Sequence, residues 1–278
     1  MRSRWTRQGG IIGVGLLIAL VASLAAPGQS HAVPTLQLDI LGGHYDTTTH
    51  TIIAPGDQFT LYALMTPDPH TSAQTQLGET YYISAALVPQ TGPPGAALGS
   101  FSFNGTPVNV THDMVYGTPP IELNGSATPD QFDLNQFADG GIFQTYFSEF
   151  AFHFPSTNRA FQYDSALTPG VGPTPVPPGY PFGVTYFAAF NVDTRGLAGG
   201  YALHFDLYNE IVHTPCVDPV GPQTPGNFPC DVDVRKVADN AHDAQTPTRR
   251  VPEAHTLLLL GSGLVLAGLR LSRRGGRH

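Results

Sequence analysis

Residues 146 to 154 read Tyr-Phe-Ser-Glu-Phe-Ala-Phe-His-Phe, and this stretch decides the fold class. Phe150, Phe152 and Phe154 fall at every second position, while Glu149 and His153 occupy positions of the opposite parity. A period of two places alternate side chains on opposite faces of a strand. The stretch therefore predicts a β-strand with a phenylalanine face turned inward and a polar face turned outward.

Other segments of the chain show the same alternation or a more uniformly apolar form of it, which is typical of strands in a covered sheet. The stronger ones are residues 36–40, 59–65, 81–88, 184–192 and 201–208. In the first of these, Leu36, Leu38 and Ile40 share one face, and Gln37 and Asp39 share the other. Weaker runs near Phe101, Val108 and Val232 bring the total to about eight strands.

Two predictions concern how these strands connect. The segments 184–192 and 201–208 follow each other closely, and we expect them to pair as a hairpin through residues 193–200. Residues 168–181 contain six prolines and predict an exposed, semi-rigid loop.

Strands with one apolar face need a second sheet to cover that face. The predicted fold class is therefore all-β, an antiparallel two-sheet sandwich of the jelly-roll or Ig-like kind. A signal helix is expected before it and a hydrophobic helix after it.

The N-terminal residues 1–32 have the three zones of a secretory signal peptide. Three arginines precede an apolar run from Ile11 to Ala26, and Ser30-His31-Ala32 offers small residues at the positions that a signal peptidase reads. We expect cleavage between Ala32 and Val33. A retained N-terminal anchor is the alternative.

The C-terminal residues 249–278 predict a sorting or anchor tail with a helix at about 255–271. Its sixteen-residue apolar run, residues 256–271, spans about 24 Å as a helix, which is short of the ~30 Å hydrocarbon core of a membrane. Arginines follow this run, and positively charged flanks stay in the cytoplasm, so the preceding chain is expected outside. The motif residues are Val251, Pro252, Glu253, Ala254, Arg273, Arg274 and Arg277.

This tail resembles the PEP-CTERM sorting signal, which exosortases of Gram-negative bacteria recognise and process. It departs from that signal at Ala254, where the usual motif has proline. The resemblance implies two processing partners, a signal peptidase and an exosortase-type enzyme. It also implies an inner-membrane intermediate that proceeds to the cell envelope, the cell surface or the extracellular matrix of a Gram-negative bacterium. An ordinary C-terminal anchor is the alternative, and it predicts no cleavage.

The intervening ectodomain, residues 33–248, resembles the choice-of-anchor N group in four blocks: residues 38–46, 59–64, 204–209 and 242–244. Proteins of that group carry an extracellular domain on a sorting tail. The resemblance implies no catalytic role and supplies no site residues.

Charge is distributed unevenly along the chain. The ectodomain holds four basic and twenty acidic residues, a formal net charge of −16, against −8 for the whole chain. Such a surface repels phosphate backbones, so nucleic acid is not an expected partner.

The chain has two cysteines, Cys216 and Cys230, and both lie in the ectodomain. An oxidising compartment favours a disulfide between them, worth about 3 kcal/mol for a loop of this length. Asp218, Asp231 and Asp233 surround the loop, and they are candidates for a weak calcium site because calcium prefers carboxylate ligands. Solvated acids are the simpler interpretation.

Two His-x-Asp pairs could carry other chemistry, because residues at i and i+2 share one face of a strand. They are His44 with Asp46 and His204 with Asp206. If the pairs met across a sheet, they could bind a transition metal or exchange protons. Structural hydrogen bonding is the simpler expectation.

We predict no enzyme activity and no catalytic residues, since the ectodomain has neither a Gly-x-Ser-x-Gly elbow nor a glycine-rich phosphate loop. The predicted role is structural or adhesive, with no required cofactor. The alternative is a secreted carbohydrate-binding domain or glycan hydrolase, with exopolysaccharide or envelope glycans as partners and calcium as a candidate cofactor.

Overall fold

A computed structural model of the chain describes five stretches: residues 35–93, 95–121, 143–213, 231–238 and 242–248. For residues 210–213 and 231–235 it describes the backbone alone. All of them belong to the unit that runs from Pro34 to His278. Within these stretches, no helix is long and apolar enough to cross a membrane.

Several predicted features lie outside the described residues. They are the signal peptide with its cleavage position at Ala32 and Val33, the tail with its helix and motif residues, the cysteines Cys216 and Cys230, and the calcium candidate Asp218. All of these stay predictions.

The described residues form fourteen strands and one short helix. The strands are β1 (Leu36–Ile40), β2 (His44–Asp46), β3 (Thr51–Ile53), β4 (Gln58–Met65), β5 (Tyr81–Val88), β6 (Ser100–Phe103), β7 (Thr106–Asn109), β8 (Val115–Gly117), β9 (Thr145–Phe152), β10 (Arg159–Phe161), β11 (Val184–Asp193), β12 (Ala202–His213), β13 (Asp231–Val237) and β14 (Asp243–Gln245). The helix α1 (Ala73–Leu77) begins after Ser72, whose hydroxyl accepts a hydrogen bond from the Thr75 amide.

The strands make two sheets. The six-stranded sheet has the order β1-β4-β11-β6-β7, with β10 paired to β11, and all of its described pairings are antiparallel. The eight-stranded sheet has the order β2-β3-β14-β12-β5-β9-β8, with β13 paired to β12. Its pairings are antiparallel except that of β3 with β14, which is parallel.

Aromatic rings from the two sheets meet in one hydrophobic core. Phe103 on β6 stacks on Phe150 on β9, with 4.0 Å between ring centroids, and Phe59 on β4 meets Phe205 on β12 edge to face at 6.1 Å. Burying each such ring contributes about 1.5–3 kcal/mol. The two sheets therefore pack face to face, and the predicted all-β, two-sheet fold is confirmed at that level. The jelly-roll or Ig-like connection stays a prediction.

The longer predicted strands are confirmed, with shifts of one or two residues at most ends, although β12 runs five residues past its predicted end at Tyr208. Strand β9 at Thr145–Phe152 covers most of the phenylalanine stretch. The predicted number of about eight strands is too low. The strands that the sequence analysis missed are β2, β3, β8, β10 and β14, each of three residues. Three residues are too few to show a period of two.

The predicted hairpin between residues 184–192 and 201–208 is wrong. Its first strand, β11, lies in the six-stranded sheet, and its second, β12, lies in the eight-stranded sheet. The residues between them cross from one sheet to the other: Gly196 accepts a hydrogen bond from the Ser100 amide, and Leu197 is buried. An alternating pattern shows that a strand has an apolar face, but it does not show which sheet the strand joins.

The polar face of β1 is buried rather than exposed. Asp39 accepts hydrogen bonds from the amides of Gly170 and Gly172, at 2.9 and 3.1 Å, and from the hydroxyl of Tyr163 at 2.5 Å. These contacts hold the start of the proline-rich loop against the six-stranded sheet. The prediction of an exposed loop is therefore wrong at Gly172, which is buried, although most of the later residues are exposed.

Candidate metal centre

Strand β12 lies in the middle of the eight-stranded sheet, between β5 and β14. Phe205 and Leu207 belong to the hydrophobic core, so His204 and Asp206 point to the opposite face of the sheet. The neighbouring strands add polar side chains beside them. Ser84 on β5 is the register partner of Asp206.

The third member of the cluster comes from β14. In the antiparallel pairing of β12 with β14, His204 faces Gln245 and Phe205 faces Ala244. Continuing this register by one residue sets Asp243 beside Asp206. Sheet pairing therefore brings together residues that are 37 positions apart in the sequence.

The three side chains converge on one point. Nε2 of His204 lies 3.2 Å from Oδ1 of Asp206 and 3.8 Å from Oδ2 of Asp243. One ligand atom from each residue can be chosen so that all three lie within 4.8 Å of one another. We call His204, Asp206 and Asp243 the His/Asp cluster.

The cluster is closed to solvent. The side chain of His204 is 8% exposed and that of Asp206 is 1% exposed, and the ring of Phe143 lies 5.8 Å from the imidazole, centroid to centroid. Buried carboxylates cost several kcal/mol of desolvation each unless a cation or hydrogen bonds compensate them. Two aspartates side by side on neighbouring strands therefore require positive charge between them.

When no ion is bound, the imidazole of His204 carries this positive charge. Burial by itself would lower the pKa of His204, but the carboxylates of Asp206 and Asp243 raise it by more. The pKa of His204 consequently lies well above the ordinary value of 6.5. The metal-free cluster is then an imidazolium between two carboxylates.

Hydrogen bonding in the cluster is incomplete. Oδ2 of Asp206 accepts a 2.8 Å hydrogen bond from the hydroxyl of Ser84. Oδ1 of Asp206 and Nε2 of His204 are both buried, and neither has a hydrogen-bond partner. Their 3.2 Å contact is therefore an ion pair rather than a well-formed hydrogen bond.

The His-x-Asp pairs identified in the sequence do not meet. His44 and Asp46 lie on β2, which is separated from β12 by β3 and β14. Asp46 instead accepts a 2.7 Å hydrogen bond from the amide of Thr48, which lowers the pKa of its carboxyl. His44 and Asp46 therefore lie on the edge strand β2, whereas His204 and Asp206 belong to the buried cluster.

The remaining candidates do not enter the cluster. His242 lies next to Asp243 in sequence, but its Nε2 pairs with Asp164 at 3.4 Å. The calcium candidates Asp231 and Asp233 lie on β13, where their backbones pair with His213 and Ile211 of β12. Their side chains are not described, and the calcium site stays a prediction.

Sequence reasoning did not assign Asp243 and Ser84 to this site. Asp243 lies in a three-residue strand with no periodicity, and the sequence singled it out only as part of the block at residues 242–244. Ser84 lies in a run of apolar residues, Tyr81–Val88, where a single hydroxyl has no distinguishing pattern.

A second feature is an open groove on the six-stranded sheet, with a volume of about 760 Å³. Its polar lining includes Gln58, Asn104, Asn191 and Asp193. Arg195 and Gln58 donate hydrogen bonds to Asp193, and those from Arg195 lower the pKa of its carboxyl to about 2. The groove thus presents amides and a carboxylate that is ionised at neutral pH.

A search of protein-family models, curated proteins and solved structures finds no match to this chain.

Proposed function

We propose that this chain is an exported cell-surface or extracellular-matrix protein with a structural or adhesive, non-enzymatic role, sorted by its C-terminal tail. The observation that carries the proposal is the combination of a two-sheet β body with apolar, arginine-flanked segments at both ends of the sequence. Segments of that kind direct export and hold the intervening chain outside the cytoplasm.

The buried polar residues support a structural role for the body. The His/Asp cluster is closed beneath Phe143, and its side chains are at most 8% exposed. A substrate would need direct access to the imidazole or to a carboxylate. The cluster is therefore better suited to holding strands together than to turning over a molecule.

The tail can be tested in the native host by exchanging its motif residues. We expect Pro252→Ala with Glu253→Ala to leave the unprocessed chain in the inner membrane, where cell fractionation and immunoblotting would detect it. His255→Ala, just beyond the motif, is the matched control and should behave as the unchanged chain does. An identical distribution for the motif variant and the unchanged chain would contradict sorting through these residues.

A second candidate function is carbohydrate binding, and the groove on the six-stranded sheet favours it. Amides such as those of Asn104 and Asn191, together with the ionised Asp193, match the donors and acceptors of sugar hydroxyls. The proposed ligands are exopolysaccharide or envelope glycans. A glycan hydrolase at the same groove is the enzymatic form of this alternative.

Glycan-array binding and hydrolase assays with the full chain, with and without calcium, separate these functions. If the groove binds sugar, Asn191→Ala should abolish the signal, and Asn158→Ala, outside the groove, should preserve it. Neither binding nor turnover by the unchanged chain would remove the carbohydrate alternative.

A further inference from the structure

We propose that His204, Asp206 and Asp243 form a binding site for one divalent transition-metal ion, with Zn²⁺ the best match. The site would tie β14 to β12 and so stabilise the body near its C-terminal end. It is independent of the proposed function and of the calcium candidates beside the cysteine loop.

The distances within the His/Asp cluster fit such an ion. Tetrahedral ligands at about 2.1 Å from Zn²⁺ lie about 3.4 Å from one another. Nε2 of His204 is 3.2 Å from Asp206 and 3.8 Å from Asp243, and the three chosen donor atoms lie within 4.8 Å. A contraction of up to about 1.4 Å in the longest distance would bring the three donors to tetrahedral spacing.

Two of the three donor atoms are also available. Oδ1 of Asp206 and Nε2 of His204 are buried and have no hydrogen-bond partner. Ser84 holds the other oxygen of Asp206, which is how ligating carboxylates are usually oriented by their surroundings. A bound ion would accept a lone pair from both of these buried atoms.

Charge favours an ion of two positive charges. Two carboxylates and a neutral imidazole carry a net charge of −2, which a divalent ion neutralises. Metal ligands bind in their deprotonated form, so the ion would take Nε2 of His204 as a neutral imidazole nitrogen.

The donor set selects among metals. Imidazole nitrogen with carboxylate oxygens suits Zn²⁺ and its first-row neighbours. Calcium takes six to eight oxygen ligands, as a general rule. The closed His/Asp cluster offers two carboxylates and one nitrogen, and so calcium should bind it weakly.

The position of the site suggests what the ion would do. Strand β14 has three residues and contacts β12 through two register pairs. After it, Thr246 exchanges hydrogen bonds with Leu203, at 2.9 Å in both directions. The predicted tail begins three residues later, at Arg249. A metal bridge would reinforce the attachment of this last described segment to the sheet.

Metal content tests the proposal directly. The full chain, purified in detergent without a histidine tag, is stripped with a chelator and returned to neutral pH with Zn²⁺, Mn²⁺ or Ca²⁺. Bound metal is then counted by mass spectrometry of the gel-filtered protein. We expect about one Zn²⁺ per chain for the unchanged protein, and an affinity lower by about 100-fold or more for Asp206→Asn or His204→Gln.

The matched control is the double variant His44→Gln with Asp46→Asn, which removes the same residue types at the same spacing from the edge strand β2. It should bind zinc as the unchanged chain does. If the unchanged chain retains no zinc, or if His204→Gln and Asp206→Asn retain as much as the control, the proposal is wrong.

Replacing zinc with Co²⁺ reports the ligands of the site through its visible absorption. This test uses the unchanged chain, so it does not depend on whether the variants fold. A bound Co²⁺ with nitrogen and oxygen ligands in tetrahedral geometry should give visible absorption bands without a thiolate charge-transfer band. Absence of the visible bands, or a thiolate band pointing to Cys216 and Cys230, would overturn the assignment to His204, Asp206 and Asp243.

Discussion

The hydroxyl of Ser84 donates a 2.8 Å hydrogen bond to Oδ2 of Asp206, its register partner on the neighbouring strand. The bond fixes one carboxylate oxygen and leaves the other facing His204. It therefore positions a proposed metal ligand without itself contacting the ion.

Removing this hydroxyl tests its positioning role. We expect Ser84→Ala to lower zinc affinity by about 10–100-fold while still allowing one ion per chain, since outer-shell partners have effects of that size. Competition with a chromogenic chelator measures the affinity. Ser102→Ala on β6 is the control, and equal affinities for the two variants would contradict the positioning role.

The metal-free chain should lose stability as pH rises above neutrality. The folded-state pKa of His204 lies well above 6.5, so folding takes up a proton at this residue. Its stabilising contribution is complete below about pH 6.5 and disappears as pH rises through the folded-state pKa. Urea midpoints measured with a chelator should therefore fall over this range, and His204→Gln should remove that part of the slope.

Saturating zinc should remove this pH trend, because the ion needs a deprotonated imidazole and the metal-bound folded state then carries no proton on His204. The same urea midpoints, measured with saturating zinc instead of chelator, should stay level above about pH 6.5 in the unchanged chain. If the urea midpoints change with pH in the same way with zinc and with chelator, the ion and the proton do not compete for His204.

The contact between Tyr163 and Asp39 should be a major anchor of the loop that covers β1. Burial raises the pKa of Asp39, and the hydrogen bond from Tyr163 partly offsets this rise. We expect Tyr163→Phe to lower the free energy of unfolding by about 1–3 kcal/mol, because the buried carboxylate of Asp39 would lose a hydrogen-bond donor. Chemical denaturation measures the free energy of unfolding, with Tyr180→Phe as the control. An equally small loss of stability in both variants would contradict the anchor role.

Two glycines with the same backbone conformation should differ in their tolerance of alanine. Gly99 and Gly105 have φ of +85° and +84°. A Cβ at Gly99 would lie 2.0 Å from the carbonyl oxygen of Gly196, whereas one at Gly105 would meet nothing within 4 Å. Gly105→Ala should cost about 1–2 kcal/mol for the left-handed conformation alone.

Gly99→Ala should cost more, about 3 kcal/mol or above, because the connection between β11 and β12 must also move. Urea denaturation of both variants measures the difference. Equal losses would mean that the connection adapts freely around Gly196.

The sequence predicts the long strands because the alternation of apolar and polar residues that identifies a strand lies within that strand. Phenylalanine at alternate positions from Phe150 to Phe154 is enough to identify β9 and its inward face. Which strands pair with each other depends instead on residues that are far apart in the sequence. Strands β11 and β12 both alternate and follow each other closely, yet they belong to the two different sheets that share one core.

The same distinction applies to the His/Asp cluster. The spacing of His204 and Asp206 correctly placed them on one face of a strand, since that follows from strand geometry alone. The partner from the rest of the chain was not His44 with Asp46 but Asp243, which the order β3-β14-β12 brings alongside. A three-residue strand leaves no periodic trace from which this neighbour could be predicted.

Mass spectrometry of the protein isolated from its native host tests most directly whether residues 33–248 are exported as a processed body. We predict a chain that begins at Val33, ends near Pro252 and Glu253, and resists thiol alkylation at Cys216 and Cys230 until it is reduced. An intact chain that begins at Met1, extends to His278 and has both thiols free would contradict the account.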